Sequence, residues 1–276
     1  MSQAEFTRFS EFIIGQCGIK MPPSKKIMLE ARLQKRLRTL GITTFGEYYQ
    51  YVHGEGGRDE LVHMLDAVTT NKTDFFREPV HFQYLAQTIL PEALAEQEGE
   101  RRRDRPFSIW SAGCSTGEEP YTLGMVLSEF TQQHPAFRFS IIATDISTKV
   151  LDRARDGIYD EERIKAVSHS LKQHYILKSK DRNKSLVRIV PELRHAIQFK
   201  RLNLMEESFS FSDPLDVIFC RNVIIYFDRN TQERLISRFC RVLKPDGYLF
   251  LGHSESVHGF DLPLRRITST VYRKIG

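Results

Sequence analysis

The stretch that most constrains the fold is residues 107–121, Phe-Ser-Ile-Trp-Ser-Ala-Gly-Cys-Ser-Thr-Gly-Glu-Glu-Pro-Tyr. A short apolar run, Phe107 to Trp110, collapses into small residues, Ser111 to Gly117, and a helical pattern takes over from Glu118. Small residues between a strand and a helix let a ligand reach bare backbone, and the first helical turn carries N–H groups without intrahelical partners. That is the layout of a nucleotide-type site in an open α/β sheet. Downstream, apolar strand candidates at 107–111, 138–144, 196–202, 215–220, 247–252 and 268–274 alternate with helical stretches at 119–132, 147–155 and 230–243. The rhythm predicts an α/β fold, a doubly wound Rossmann-like sheet with right-handed crossovers. Residues 174–200 break it: Tyr-Ile-Leu-Lys, a polar turn, then Leu-Val-Arg-Ile-Val predict a small antiparallel β subdomain inserted in the sheet domain.

The first 70 residues read differently. Phe6, Phe9, Phe12 and Ile13 recur at helical spacing, with Gly15 and Gly18 closing the segment. Pro22-Pro23-Ser24 announces a second helix running to about Leu40 before Gly41, with an apolar stripe of Leu29, Leu33, Leu37 and Leu40. Helices at 44–52 and 58–68 complete an all-α N-terminal domain. The second helix holds Lys25, Lys26, Arg32, Lys35, Arg36 and Arg38 against one acid, Glu30, a local excess equal to the +5 of the whole chain. A charge run is by default a solvated helix face; the sharper reading is a docking surface for an acidic partner. Residues 71–105 form a connection: a loop, Thr69 to Pro79, whose Phe-Phe-Arg folds back onto the site, a helix over 80–97, and a charged, exposed boundary at 98–105. The sheet domain occupies 106–276.

Several classes are disfavoured. No apolar run approaches the ~18 residues of a membrane span. The N-terminus lacks a basic then apolar leader, so export is not expected. Cysteines 17, 114, 220 and 240 are scattered with no C-x-x-C pair, which argues against a zinc site or disulfide scaffold and fits a reducing cytoplasm. A pI near 9.0 is too mild to imply nucleic acid by itself.

The chemistry concentrates at the carboxyl ends of the strands. Gly113 and Gly117, with Ser115 between them, do not make a dinucleotide fingerprint. The second strand ends at Asp145, placed to accept both hydroxyls of a ribose, with an N-cap role as the bland alternative. Glu118 and Glu119 in a first helical turn would repel a phosphate but suit a ligand with a cationic amine or sulfonium; alternatively they only complement the helix dipole. The third strand runs into Arg221-Asn222-Val-Ile-Ile-Tyr226-Phe227, polar groups and π-faces opening onto the same crevice.

The run Ile-Trp-Ser-Ala-Gly-Cys-Ser-Thr-Gly resembles the first motif of S-adenosylmethionine-dependent methyltransferases. Thr-Asn-Lys-Thr-Asp-Phe-Phe-Arg-Glu, Ser-Thr-Gly-Glu-Glu-Pro-Tyr, Phe-Cys-Arg-Asn-Val-Ile-Ile-Tyr-Phe and Leu-Lys-Pro-Asp-Gly-Tyr-Leu-Phe-Leu-Gly-His-Ser-Glu are together similar to the chemotaxis receptor methyltransferases, the CheR family. The resemblance implies a cofactor, S-adenosyl-L-methionine (product S-adenosyl-L-homocysteine), gripped by Asn71, Thr73, Arg77, Gly113, Glu119, Asp145, Asn203, Leu204, Arg221 and Asn222. In that family Glu119 matches a residue that binds the methionine part or its amine, and Asn203 and Leu204 match the pair flanking adenine. Arg77 and Tyr226 are the expected catalytic residues, orienting and holding the reactants. Lys25, Arg32, Lys35 and Arg36 would bind the substrate. That substrate is the cytoplasmic helical domain of methyl-accepting chemotaxis receptors, methylated on glutamate side chains. The inserted subdomain in some members binds a pentapeptide at the receptor C-terminus, but the turn Lys178–Lys184 lacks the expected glycine, so direct receptor recognition is expected. A monomer without metal, nucleic acid or membrane insertion completes the expectation. Two rivals stand beside it. One is a nucleic-acid methyltransferase, although the Asn/Asp-Pro-Pro-Tyr run of base methylators is missing. The other is a SAM-binding protein that has lost turnover, to which Ser115 gives a foothold.

Overall fold

The computed structural model describes residues 1–55, 57–98, 105–181 and 183–276. Most of the charged boundary expected at 98–105, and one residue of the polar turn at 178–184, lie outside the described residues. Four helices open the chain: α1 (Gln3–Cys17), α2 (Lys26–Leu40), α3 (Phe45–His53) and α4 (Gly57–Val68). Ser2 caps α1 reciprocally with Glu5, and Gly18, at φ 72°, ends it; Gly15 sits inside that helix instead of closing it. The α2 stripe Leu29, Leu33 and Leu37 is fully buried against Phe6, Phe9, Ile13, Tyr48 and Met64. Apolar residues at i, i+4 and i+8 on one helix give one packed face, and four such faces make a core.

After a loop come α5 (Pro79–Tyr84), a π-helical turn at Leu85–Ile89 and α6 (Leu90–Glu98). The main sheet follows: β1 (Phe107–Ala112), α7 (Glu118–Gln133), β2 (Phe139–Asp145) and α8 (Thr148–Asp156), then an insertion, then β6 (Ile197–Arg201), β7 (Leu215–Cys220), α11 (Arg229–Val242), β8 (Leu243–Leu251), β9 (Leu264–Arg266) and β10 (Val271–Lys274). The strand order is β6-β2-β1-β7-β8-β10-β9. The first five strands run parallel, and β10 and β9 are antiparallel additions. The winding direction reverses between β1 and β7, so the crevice beyond their carboxyl ends is the position a ligand takes in this architecture. β1 is buried along its whole length. Phe107 and Ile109 face one helical layer, while Trp110 and Ala112 face the layer containing α11. This is the two-residue alternation of a strand covered on both sides.

The inserted β subdomain is larger and earlier than a hairpin over 174–200. It is a three-stranded antiparallel sheet, β3 (Ile158–Asp160), β5 (Leu186–Ile189) and β4 (Ile176–Lys178) in that spatial order, with α9 (His169–Tyr175) before β4. The end of the expected range crosses the short α10 (Pro191–His195) and runs into β6 of the main sheet, where Ile197 pairs with Ile141. The period-two pattern was visible in both places, but pattern alone does not assign a strand to a sheet.

Candidate active site

Gly113 follows β1 at φ 82°, and a Cβ there would stand 2.6 Å from Val223 Cγ2, so only glycine fits. Ser115 also takes a left-handed backbone, φ 51°. Its N–H donates to Asp145 Oδ2 at 2.9 Å, and its hydroxyl donates to the Asn71 carbonyl at 3.0 Å. The serine is therefore a tie between the turn and the loop before α5, a use a glycine lacks. That loop folds back as expected: Phe75 is 1% exposed and packs edge-on against Tyr159 of β3 at 5.1 Å. Arg163 of the insertion holds the same loop, donating to the Thr73 carbonyl at 2.8 Å and to the buried carboxylate of Glu118. Glu118 is thus structural, and Glu119 faces the crevice.

One cavity gathers the expected residues: Asn71, Thr73, Arg77, Gly113, Glu119, Asp145, Asn203, Leu204, Arg221, Asn222 and Tyr226. The N-terminal domain completes it with Cys17, Ile19, Lys25 and Val68. Asp145 receives N–H groups on both oxygens, from Ser115 on Oδ2 and from Ser147 at 3.0 Å on Oδ1, which fixes its plane and leaves a lone pair on each oxygen. Burial pushes its pKa up, opposed by those backbone bonds. Glu119 accepts from Ser111 Oγ at 2.7 Å on one oxygen and from Arg221 Nε at 2.7 Å on the other. Arg221 also donates to the Arg77 carbonyl at 2.6 Å. Arg77 itself holds the Lys72 carbonyl at 3.0 Å. The amide of Asn203 is spent on the Gln16 carbonyl at 2.6 Å, with Met205 N–H on its oxygen, so this end of the pocket is braced by α1. Lys25 lies over the Tyr226 ring at 5.4 Å from its centre.

Sequence reasoning missed the acid that shapes the Arg221–Tyr226 loop. Glu255, 5% exposed, accepts three backbone N–H groups, from Asn222 at 2.8 Å, Gly252 at 2.7 Å and Ile225 at 3.2 Å. The bonds hold Asn222 at φ 58°, where a Cβ on Gly252 would come within 2.5 Å of its side chain. The signal was present in the Leu-Gly-His-Ser-Glu run, whose final acid had no assigned task. His81 was missed outright; it contacts Arg221 from a buried position on α5. Glu78, His81 and His253 bring metal-ligand-type atoms within 4.8 Å of one another. The guanidinium of Arg221, 3.2 Å from His81 Nδ1 and 3.5 Å from Glu78 Oε2, already serves as the cation for two of the three.

The basic row on α2 is not the free cationic face expected of it. Arg32 donates to the Val68 and Thr69 carbonyls at 2.8 and 3.0 Å, neutralising the carboxyl end of α4. Arg36 grips the buried Glu60 with two bonds of 2.9 and 2.6 Å, and Tyr48 adds a third at 2.7 Å. Both arginines lie on the side of α2 turned toward α4, which the helical period alone does not distinguish from the solvent side. Lys35 and Arg38 are exposed, and Lys25 reaches the cavity.

The matching family models are the CheR methyltransferase all-alpha domain, over residues 4–69, and the CheR methyltransferase SAM binding domain, over residues 71–273. This chain belongs to the CheR methyltransferase family. It is 40% identical to the chemotaxis protein methyltransferase of Borreliella burgdorferi, across 99% of this chain and 95% of that one. It is 39% identical to that of Escherichia coli K12, across 99% and 91%. Solved structures resemble it more distantly: an O-methyltransferase family protein from Burkholderia thailandensis is 14% identical over 74% of this chain and 43% of its own, with a TM-score of 0.35. The cofactor of the family domain is S-adenosyl-L-methionine, and the donor set suits it. A buried, pre-oriented carboxylate would suit a pair of vicinal hydroxyls, a second carboxylate would suit an ammonium, and the floor at Gly113 has no room for a side chain. No helix among the described residues is long and apolar enough to cross a membrane.

Proposed function

We propose that the chain methylates glutamate side chains on the helical cytoplasmic domain of chemotaxis receptors, giving glutamate methyl esters. The observation that carries this reading is the meeting of Glu119, Asp145, Arg77, Tyr226 and Lys25 in one cavity shared by the two domains. When bound, S-adenosyl-L-methionine supplies an electrophilic methyl group on a sulfonium. Asp145 would hold the ribose and Glu119 the amine, and Arg77, Arg221 and Tyr226 line the same cavity beside them. A glutamate acceptor is already ionised at neutral pH, which removes the need for a general base. What the protein contributes is alignment, which can supply roughly 7–11 kcal/mol at best. Arg77 and Lys25 attract and orient the acceptor carboxylate, and the Tyr226 ring shields the reacting line from water. Lys35 and Arg38, exposed on the same α2 that carries Arg32 and Arg36 inward, steer an acidic receptor helix toward that mouth.

The proposed setting is the cytoplasm, in keeping with four free, buried cysteines. The test is transfer of labelled methyl to receptor cytoplasmic fragments and to RNA side by side. Label on receptor protein supports the reading. Label on RNA would favour a nucleic-acid methyltransferase, and cofactor binding without any transfer would favour a non-catalytic binder. Receptor fragments with and without their C-terminal pentapeptide should be methylated alike if the receptor is recognised directly.

A further inference from the structure

His81 has no part in the reading above, yet it is 2% exposed and contacts the residue at the centre of the pocket wall. Its Nε2 lies 2.7 Å from Thr270 Oγ1, and its Nδ1 lies 3.2 Å from Arg221 Nη1. A guanidinium can only donate, so Nδ1 accepts and the ring proton sits on Nε2, donated to Thr270. Burial, aided by the charge of Arg221, pushes the His81 pKa down to about 4, against the opposing pull of Glu78. The ring is therefore a neutral acceptor at physiological pH, and it is fixed edge-on against Phe250 at 5.4 Å.

The guanidinium it meets has two carboxylates to choose from. Glu119 Oε2 receives its Nε at 2.7 Å, whereas Glu78 Oε2 stands 3.5 Å from its Nη1. Glu78 Oε2 is buried and has no hydrogen-bond partner among the described residues, so it pulls on Arg221 without being satisfied. It lies equally 3.5 Å from His81 Nδ1, and 4.0 Å from the exposed His253. A chain of contacts thus runs from Thr270 through His81 and Arg221 to Glu119 and Ser111, with Glu78 as the competitor at its midpoint.

We propose that His81 is a positioning residue of the cofactor site: clamped by Thr270, its Nδ1 lone pair keeps Arg221 on Glu119 and away from Glu78, so that Glu119 presents a fixed carboxylate to the cofactor amine. The inference rests on the proposed methyl-transfer reading for its consequence in turnover, but its first readout is binding alone.

The experiment is calorimetry of S-adenosyl-L-homocysteine with the full chain, alongside KM and kcat for S-adenosyl-L-methionine. His81→Asn can set its amide oxygen where Nδ1 stood and should bind within about threefold of the native protein. His81→Gln and His81→Phe leave Arg221 without that acceptor and should lose about tenfold in affinity, with KM rising more than kcat falls. Adding Glu78→Gln to His81→Phe removes the competing charge and should recover most of that loss. Thr270→Val, which frees the ring without removing it, should show a smaller loss in the same direction. Equal losses in the Asn and Gln variants would overturn the proposal, as would a Phe variant that Glu78→Gln fails to rescue, because a purely structural ring would behave in either way. A native protein that binds the homocysteine product but methylates no receptor would instead sink the methyl-transfer reading and leave this one standing.

Discussion

The floor of the pocket and the basic helix α2 are both rich in charge, and they use it differently. On the floor, Asp145 and Glu119 are buried, and each already holds two donors from its own chain. Such groups cannot shift when a ligand arrives, so what they recognise is set by geometry. On α2 the charge divides in two. Arg32 and Arg36 are consumed inside the domain, Lys35 and Arg38 are exposed, and Lys25, just before α2, lines the cavity. A net charge of +5 counted along a sequence therefore overstates what a partner meets.

The largest effect should come from Arg36→Ala. It strands Glu60, 3% exposed, with Tyr48 as its one remaining side-chain partner among the described residues, and should cost about 3 kcal/mol of folding stability in a urea titration. A surface docking arginine would cost almost nothing, so an unchanged midpoint would restore the view of α2 as a uniformly free face. Next in size is Asp145→Ala, expected to weaken S-adenosyl-L-homocysteine binding by roughly 30-fold, because two ribose hydroxyls lose one acceptor. The same carboxylate predicts a pH dependence. Burial raises its pKa, so binding is at full strength above that value and weakens as pH falls through it, at a higher pH than an exposed aspartate would give. Calorimetry across the acid range reads this directly, and affinity that stays flat into the ordinary aspartate range would contradict it.

Arg77→Lys and Tyr226→Leu, which removes the shielding ring, should each lower turnover about tenfold while leaving the thermal midpoint in place. Unchanged turnover in both would remove them from the reacting end. The smallest effect belongs to Lys35→Ala, two- to threefold or so in the KM for receptor. That difference should vanish at high salt, where exposed charges are screened beyond about 10 Å or less.

What the sequence made legible follows the same division. Strands and helices with an unambiguous period were placed to within a few residues, because burial on one or both faces writes itself into the spacing of apolar residues. Leu29, Leu33 and Leu37 and the fully apolar β7 are examples. The pocket residues were reachable because they cluster at the ends of those strands, and long motifs marked them. Three kinds of feature were not legible. One was the short strands, β3 of the inserted sheet and β9 at the edge of the main one, each of three residues and too short to carry a period. Another was which arginines of α2 face α4, since both sides of that helix are basic. The last was His81, whose role exists only because Thr270, distant in sequence, and Arg221 arrive on either side of it.

In the proposed function this pocket aligns a methyl donor with a receptor glutamate. Its most direct test is the chemistry of the bond formed. Receptor fragment incubated with the enzyme and labelled S-adenosyl-L-methionine should carry label that maimed acceptor sites, glutamate to alanine, no longer take up. Mild alkali should release that label as methanol, as expected of a carboxyl ester. Label stable to alkali, or mapping to residues other than glutamate, would contradict the account.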